Sequence, residues 1–87
     1  MKILPHHYYT VTMRSGEYQR VGRCFNLSIQ QLSPEQLKSQ EVPQPTHILT
    51  FRDTQGIRIY TGRIKEQQEN KLIFILAEGK EYEFRPI

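Results

Sequence analysis

The chain has 87 residues, of which 37% are hydrophobic and 24% are charged, with one cysteine and no tryptophan. A chain of this length supports one modest hydrophobic core, so we expect residues 1–87 to form a single domain. Its apolar runs are too short for a membrane span or a secretory signal, and the lone Cys24 excludes an intramolecular disulfide. These features predict a cytoplasmic protein that depends on packing for its stability.

Twelve Lys and Arg residues against nine Asp and Glu residues give a net charge of +3 and a pI near 9.2. A pI above about 9 is common in nucleic-acid-binding domains, but only where the basic residues cluster. The chain has no block of like charge, so any cluster must be created by the fold.

Two strands are predicted in the first part of the chain, because β-branched and aromatic residues dominate between turn signals. Residues 8–14 and 17–27 form these strands, joined by a turn at Ser15-Gly16. Gly22 lies inside the second strand and predicts a bulge or a sharp bend there.

A short helix is predicted at 34–40, after the second strand. Ser33 is a suitable N-cap, Pro34 suits the first helical position, and Gln36 completes a capping box. Pro43 and Pro45 end the helix and lead extended chain onward.

Four further strands are predicted in the second half, at 47–52, 57–65, 71–77 and 80–85. A two-residue turn at Glu78-Gly79 would place Ile73, Ile75, Ala77, Tyr82 and Phe84 on the core face. Leu72, Phe74 and Leu76 would then lie on the opposite face of the sheet. We expect either the chain's own helix to cover them or a partner protein to do so.

The fold predicted from these elements is mainly β, a small curled antiparallel sheet or barrel of about six strands with one short helix. The segment from Ile48 to Arg85 resembles small SH3-like or Sm-like barrels. It has a strand, a turn ending at Gly56, a long strand with a late Gly62, an apolar strand and a short closing strand. The resemblance implies an architecture, and no functional positions follow from it.

Catalytic and cofactor signatures are not evident in the sequence. Cys24 lies beside Phe25 in a predicted strand, which favours a buried and inert thiol over a nucleophile. The paired histidines His6 and His7 point apart in an extended segment, and one cysteine gives no zinc spacing. We therefore expect a non-enzymatic protein with no metal and no cofactor.

Nucleic-acid binding is the sharper functional hypothesis, with single-stranded nucleic acid or RNA as the partner. Arginines and tyrosines interleave along the predicted hairpins, where cations can neutralise phosphates and exposed rings can stack on bases. The candidate residues are Arg14, Arg23, Arg52, Arg58, Arg63, Tyr18 and Tyr60. This hypothesis requires most of these arginines to share one face.

The alternative is a protein-protein adaptor or inhibitor that acts through an exposed strand edge or an apolar sheet face. Leu72, Phe74 and Leu76 would form that face if nothing in the chain covers them. A small curled sheet also completes itself readily with a second copy, so a homodimer is a further expectation.

Overall fold

The computed structural model describes residues 1–35 and 45–87. The chain forms a closed antiparallel barrel whose six strands follow one another in chain order, with β6 paired to β1. The strands are β1 Tyr8–Ser15, β2 Tyr18–Gln31, β3 His47–Asp53, β4 Gly56–Gln68, β5 Lys71–Leu76 and β6 Glu81–Pro86. The predicted small barrel of about six strands is therefore confirmed.

The predicted helix at 34–40 falls mostly outside the described residues. Residues 34 and 35 are helical, and residues 36–40 lie beyond what the structure describes. The backbone amide of Leu32 donates to the carbonyl of Thr46 at 2.9 Å, so the flanks of this segment are joined. No helix in the described part of the chain has the length and apolar character needed to cross a membrane.

Two long strands change partner midway and so close the barrel. The first half of β2 pairs with β1 and its second half with β3, and the register shifts between Phe25 and Ser28. Asn26 lies within this shift at a φ of 56°, the conformation of a bulge. The bend predicted at Gly22 is therefore displaced toward Asn26. In β4 the change of partner falls at Gly62, the late glycine of that long strand.

The predicted register of the β5–β6 hairpin is wrong by one residue. Leu72 pairs with Phe84 and Phe74 with Tyr82, so the loop contains the three residues 77–79. Gly79 has a φ of 98° and donates its amide to the Leu76 carbonyl at 2.9 Å, as in a three-residue hairpin loop. A slip of one residue moves every side chain of one strand to the other face.

Because of this shift in register, the β5 side chains predicted to face the core lie on the outer face, and those predicted to lie outside face the core. Leu72, Phe74 and Leu76 lie in the barrel interior with exposed fractions of 1%, 0% and 9%. Neither a helix nor a partner is needed to cover them, and the expected apolar patch at these residues does not exist. Ile75 instead lies on the outer wall, where it is half-buried.

The hydrophobic core fills the barrel interior, and the N-terminal residues cover one of its two ends. The buried cluster contains Tyr9, Leu49, Phe51, Phe74 and Phe84, with Met1 at its margin. The side-chain amide of Gln67 donates to the backbone carbonyl of Met1 at 3.2 Å, and Ile3 packs against the cluster. Residues 1–4 thus close one end of the barrel.

Candidate functional site

The end of the barrel opposite Met1 opens into a pocket of about 380 Å³, which we call the barrel mouth. Its walls come from the β1–β2 hairpin, the β3–β4 hairpin and the start of β6. The polar and aromatic residues that line it are Arg20, Arg23, Asp53, Arg58, Lys80, Phe51, Tyr60 and Tyr82.

Strand register explains why charged side chains are directed to this end. Arg20 is the cross-strand partner of Met13, and Arg58 is the partner of Phe51. Because cross-strand partners share a face, both arginines alternate toward the barrel interior. They lie where the hairpins extend beyond their neighbouring strands, so their charged ends remain in contact with water.

The barrel mouth concentrates the positive charge of the chain. Four basic residues and one acidic residue line it, so its formal charge is +3. The chain as a whole also has a net charge of +3, from twelve basic and nine acidic residues. Among the described residues, which contain eleven basic and eight acidic side chains, the seven basic residues outside the mouth are matched by seven acidic ones, so the mouth carries the excess of this part of the chain.

Two of the four cations in the mouth have no ion-pair partner in the part of the chain that the structure describes. Within residues 1–35 and 45–87, Arg20 and Arg23 make no ion pair. Lys80 lies 3.9 Å from the carboxylate of Glu78, at the outer limit of an ion pair. A phosphate can bind these groups without displacing a strong internal contact.

Arg58 is held in place by Asp53. The Arg58 Nε donates to the Asp53 carboxylate at 3.0 Å, and the backbone amide of Gln55 donates to the same carboxylate at 2.8 Å. Burial acts to raise the pKa of Asp53, but these hydrogen bonds outweigh it and lower the pKa below the usual value of 3.8. The carboxylate therefore stays ionised and fixes the arginine at the mouth.

Aromatic rings form the floor of the barrel mouth. Tyr60 and Tyr82 stack with centroids 5.0 Å apart and ring planes 29° apart, and Phe51 lies 5.9 Å from Tyr82. Burial and a hydrogen bond with Tyr60 raise the pKa of Tyr82, so its hydroxyl stays protonated. Phe51 and Tyr82 are 3% and 6% exposed and Tyr60 is half-buried, so the ring surface open to the mouth comes mainly from Tyr60.

The structure brings together only part of the predicted site. Arg23, Arg58 and Tyr60 line the mouth, whereas Tyr18 is 58% exposed at the β1–β2 hairpin and is not part of the lining. Arg14, Arg52 and Arg63 lie on the outer wall on three different strands. Only two of the five predicted arginines line the mouth, so the expectation that most of them share one face is wrong. The nucleic-acid surface predicted from the sequence is therefore absent in that form, and a binding site can be argued only from the different set of cations that the mouth contains.

Five of the polar and aromatic residues that line the mouth were missing from the predicted site, namely Arg20, Phe51, Asp53, Lys80 and Tyr82. Arg20 belongs to the same set of strand arginines, and the turn at Ser15-Gly16 fixes its register with Met13. Lys80 and Tyr82 reach the mouth only because the β5–β6 loop has three residues. Barrel closure decides which cations converge, and no local sequence signal carries that information.

Arg14 is neutralised on the outer wall by Glu83. Its Nη1 donates to Glu83 at 3.1 Å, and Arg85 Nε donates to the same carboxylate at 2.8 Å. Burial acts to raise the pKa of Glu83, but the two guanidinium groups lower it below 4.5. Arg14 is therefore a stabilising residue of the β1–β6 seam.

The lowered pKa of Glu83 predicts a pH-dependent contribution to stability. Glu83→Gln is expected to lower the free energy of unfolding near pH 7 by about 1–2 kcal/mol, the scale of charge-assisted hydrogen bonds. A group with a depressed folded pKa stabilises above its unfolded value, so the difference should vanish as the pH falls below the lowered pKa. Urea unfolding near pH 7 and at about pH 2.5 measures it. Glu81→Gln, which loses an exposed pair with Lys65, is the control and should change stability little.

Cys24 is buried, as predicted, with an exposed fraction of 1%. Burial and the negative charge of Asp53 raise the pKa of the Cys24 thiol to about 12, although a hydrogen bond with the Tyr9 backbone acts to lower it. We expect no reaction of the native protein with a thiol reagent near neutral pH and one equivalent in urea. Rapid labelling of the native protein would contradict this burial.

Within the described ranges, no three His, Cys, Asp or Glu side chains group as metal ligands.

Parts of two strand edges have no ladder partner among residues 1–35 and 45–87. The β4–β5 ladder begins at Gly62, so residues 56–61 of β4 are unpaired on that side. The β2–β3 ladder likewise begins at Phe25, which leaves residues 18–24 of β2 unpaired on that side. Ile57 and Ile59, on the outer face of the β4 edge, are 60% and 66% exposed.

Comparisons of the chain with protein-family models, with curated proteins and with solved structures gave no match. The fold and the charged mouth define the class of molecule, a small closed β-barrel with one basic, aromatic-floored opening.

Proposed function

We propose that this protein binds single-stranded nucleic acid at the barrel mouth, without catalysing a reaction. The observation that carries the proposal is the convergence of Arg20, Arg23, Arg58 and Lys80 on one pocket above the Tyr60–Tyr82 stack. Single strands are bound through phosphate neutralisation and base contacts with aromatic side chains, and the mouth offers both.

The size and chemistry of the mouth favour a single strand over a duplex. A pocket of about 380 Å³ is near the lower end of the range of about 300–1,000 Å³ for ligand sites. It has room for a nucleotide-sized group, whereas a duplex would meet only its rim. The concentration of the excess positive charge of the described residues at this opening also favours a phosphate-bearing partner.

Fluorescence anisotropy with labelled RNA and DNA tests the proposal. Single strands of about 12 nucleotides should bind at low salt and more tightly than a duplex of the same length. Three to four neutralised phosphates should give a slope of log K against log salt of about −2 to −3. Absence of binding at low salt, where such a site is strongest, would refute the proposal.

The second candidate function is protein binding through the free edge of β4. The exposed Ile57 and Ile59 beside an unpaired edge favour it, because a partner strand can extend the sheet there. A second copy of this chain is one such partner. Light scattering should then detect a dimer that Ile57→Lys/Ile59→Lys abolishes, whereas a monomer at all concentrations would count against self-association.

A further inference from the structure

An exposed row of side chains crosses the outer wall next to the barrel mouth. Tyr8 of β1 pairs with Phe25 of β2, Phe25 pairs with Arg52 of β3, and Arg52 pairs with Ile57 of β4. Cross-strand partners share a face, so these four side chains form one line across four adjacent strands. We call this line the outer row.

The outer row combines a pair of aromatic rings, of which Tyr8 is exposed and Phe25 half-buried, with a cation. The rings of Tyr8 and Phe25 have centroids 4.8 Å apart, and Tyr8 is 59% exposed. Arg52 is exposed and makes no ion pair among the described residues. Arg52 is the cross-strand neighbour of Phe25, and the exposed ring of Tyr8 lies one strand further along the row. A row that carries both an exposed ring and a guanidinium can hold a stacked base and a neighbouring phosphate.

Arg23 connects the outer row to the barrel mouth. It lines the mouth, and it alternates to the same outer face of β2 as Phe25, two residues further along. Successive side chains on one face of a strand are about 7 Å apart, so the outer row begins about one nucleotide length from Arg23. A basic residue is thus found in the mouth at Arg20, at its edge at Arg23 and on the outer wall at Arg52.

We propose that the outer row is a second subsite for the same single strand, which leaves the mouth past Arg23 and stacks a base on Tyr8 and Phe25. This inference rests on the proposed function of the mouth. Arg52 takes a phosphate next to the stacked base. The bound segment is therefore longer than one nucleotide, and its affinity has two separable parts.

The test measures the affinity of strands from one to about eight nucleotides for matched variants. Affinity should rise with length until both subsites are filled and then level off. Tyr8→Ala should weaken the longer strands about five- to tenfold and leave a mononucleotide unaffected. Tyr18→Ala is the matched control, since Tyr18 is 58% exposed but lies outside the row. Arg52→Gln should likewise weaken the longer strands more than Arg63→Gln does.

The outcomes separate the two proposals. Binding that tolerates Tyr8→Ala and Arg52→Gln as well as their controls would overturn the outer row and leave the mouth intact. Failure of every strand and mononucleotide to bind the wild-type protein would refute both. Circular dichroism of each variant establishes that the barrel is folded, and Tyr8→Phe, which keeps the ring, should restore the affinity.

Discussion

Gly62→Ala is expected to destabilise the barrel by about 3 kcal/mol, because there is no space for a side chain at this position. A Cβ atom on Gly62 would overlap the backbone carbonyl oxygen of Ile75 and lie 2.7 Å from the Phe74 ring. The carbonyl belongs to the paired strand β5, and Phe74 is fully buried. Neither can move without disturbing the core. Urea unfolding followed by circular dichroism measures the loss.

Gly22→Ala is the matched control, since both glycines lie within the long second strand of a hairpin. A Cβ atom on Gly22 would meet nothing within 4 Å. We therefore expect a change of less than about 0.5 kcal/mol, or a slight gain because alanine restricts the unfolded chain. Equal losses in the two variants would show that glycine is needed for flexibility in both strands. That result would contradict the close approach of β5 at Gly62.

Removal of two mouth cations in Arg20→Ala/Lys80→Ala is expected to weaken single-strand binding about 10- to 100-fold at low salt. Each lost phosphate contact should also make the slope of log K against log salt shallower by about 0.7. These residues carry charge at the mouth without belonging to the buried core, so the barrel should remain folded. Anisotropy titrations at several salt concentrations measure both effects.

The matched control for this variant is Lys2→Ala/Arg63→Ala, which removes the same total charge elsewhere. Lys2 lies next to Met1 at the closed end, and Arg63 lies on the outer wall of β4. We expect at most a few-fold loss in affinity from the reduced net charge. Equal losses in the two variants would mean that total charge, and not the mouth, determines binding.

Asp53→Asn is expected to raise the affinity for single strands in the same anisotropy titration, whereas removal of mouth cations lowers it. The side-chain oxygen of asparagine can still accept the hydrogen bond from the Gln55 backbone, but the change removes the one acidic group that lines the mouth among the described residues. The formal charge of the mouth rises by one unit, and Arg58 loses its ion pair while it keeps a hydrogen bond to the Gln55 side chain. Single strands should then bind several-fold more tightly.

Much of the fold follows from local sequence patterns. The β-branched and aromatic runs placed all six strands, because turn residues separate them clearly. Asp53 and Gly56 at the β3–β4 turn behave as their types predict, with the Asp53 carboxylate accepting from Gln55 and Gly56 at a φ of 124°. Gly62 marked the change of partner in β4, where the close contact with β5 requires glycine.

The β5–β6 register could not be decided from the sequence, because both sets of alternating residues on β5 are apolar. Gly79 fits the last place of a two-residue turn and of a three-residue loop equally well. The actual loop buries Leu72, Phe74 and Leu76, since only that face turns inward when the barrel closes. The barrel mouth depends on the same closure, which brings Lys80 beside Arg58 although 22 positions separate them in the sequence.

The most direct test of the mouth as the binding site is a nitrogen-15 correlation titration with a short single-stranded RNA at low salt. We predict that the largest amide shifts fall at Arg20, Arg23, Arg58 and Lys80, with smaller ones at Phe25 and Arg52. The amides of the closed end, such as Leu4 and Gln67, should not move. Absence of shifts, or shifts confined to the closed end or to the wall around Arg14 and Arg63, would contradict the assignment of function to the mouth.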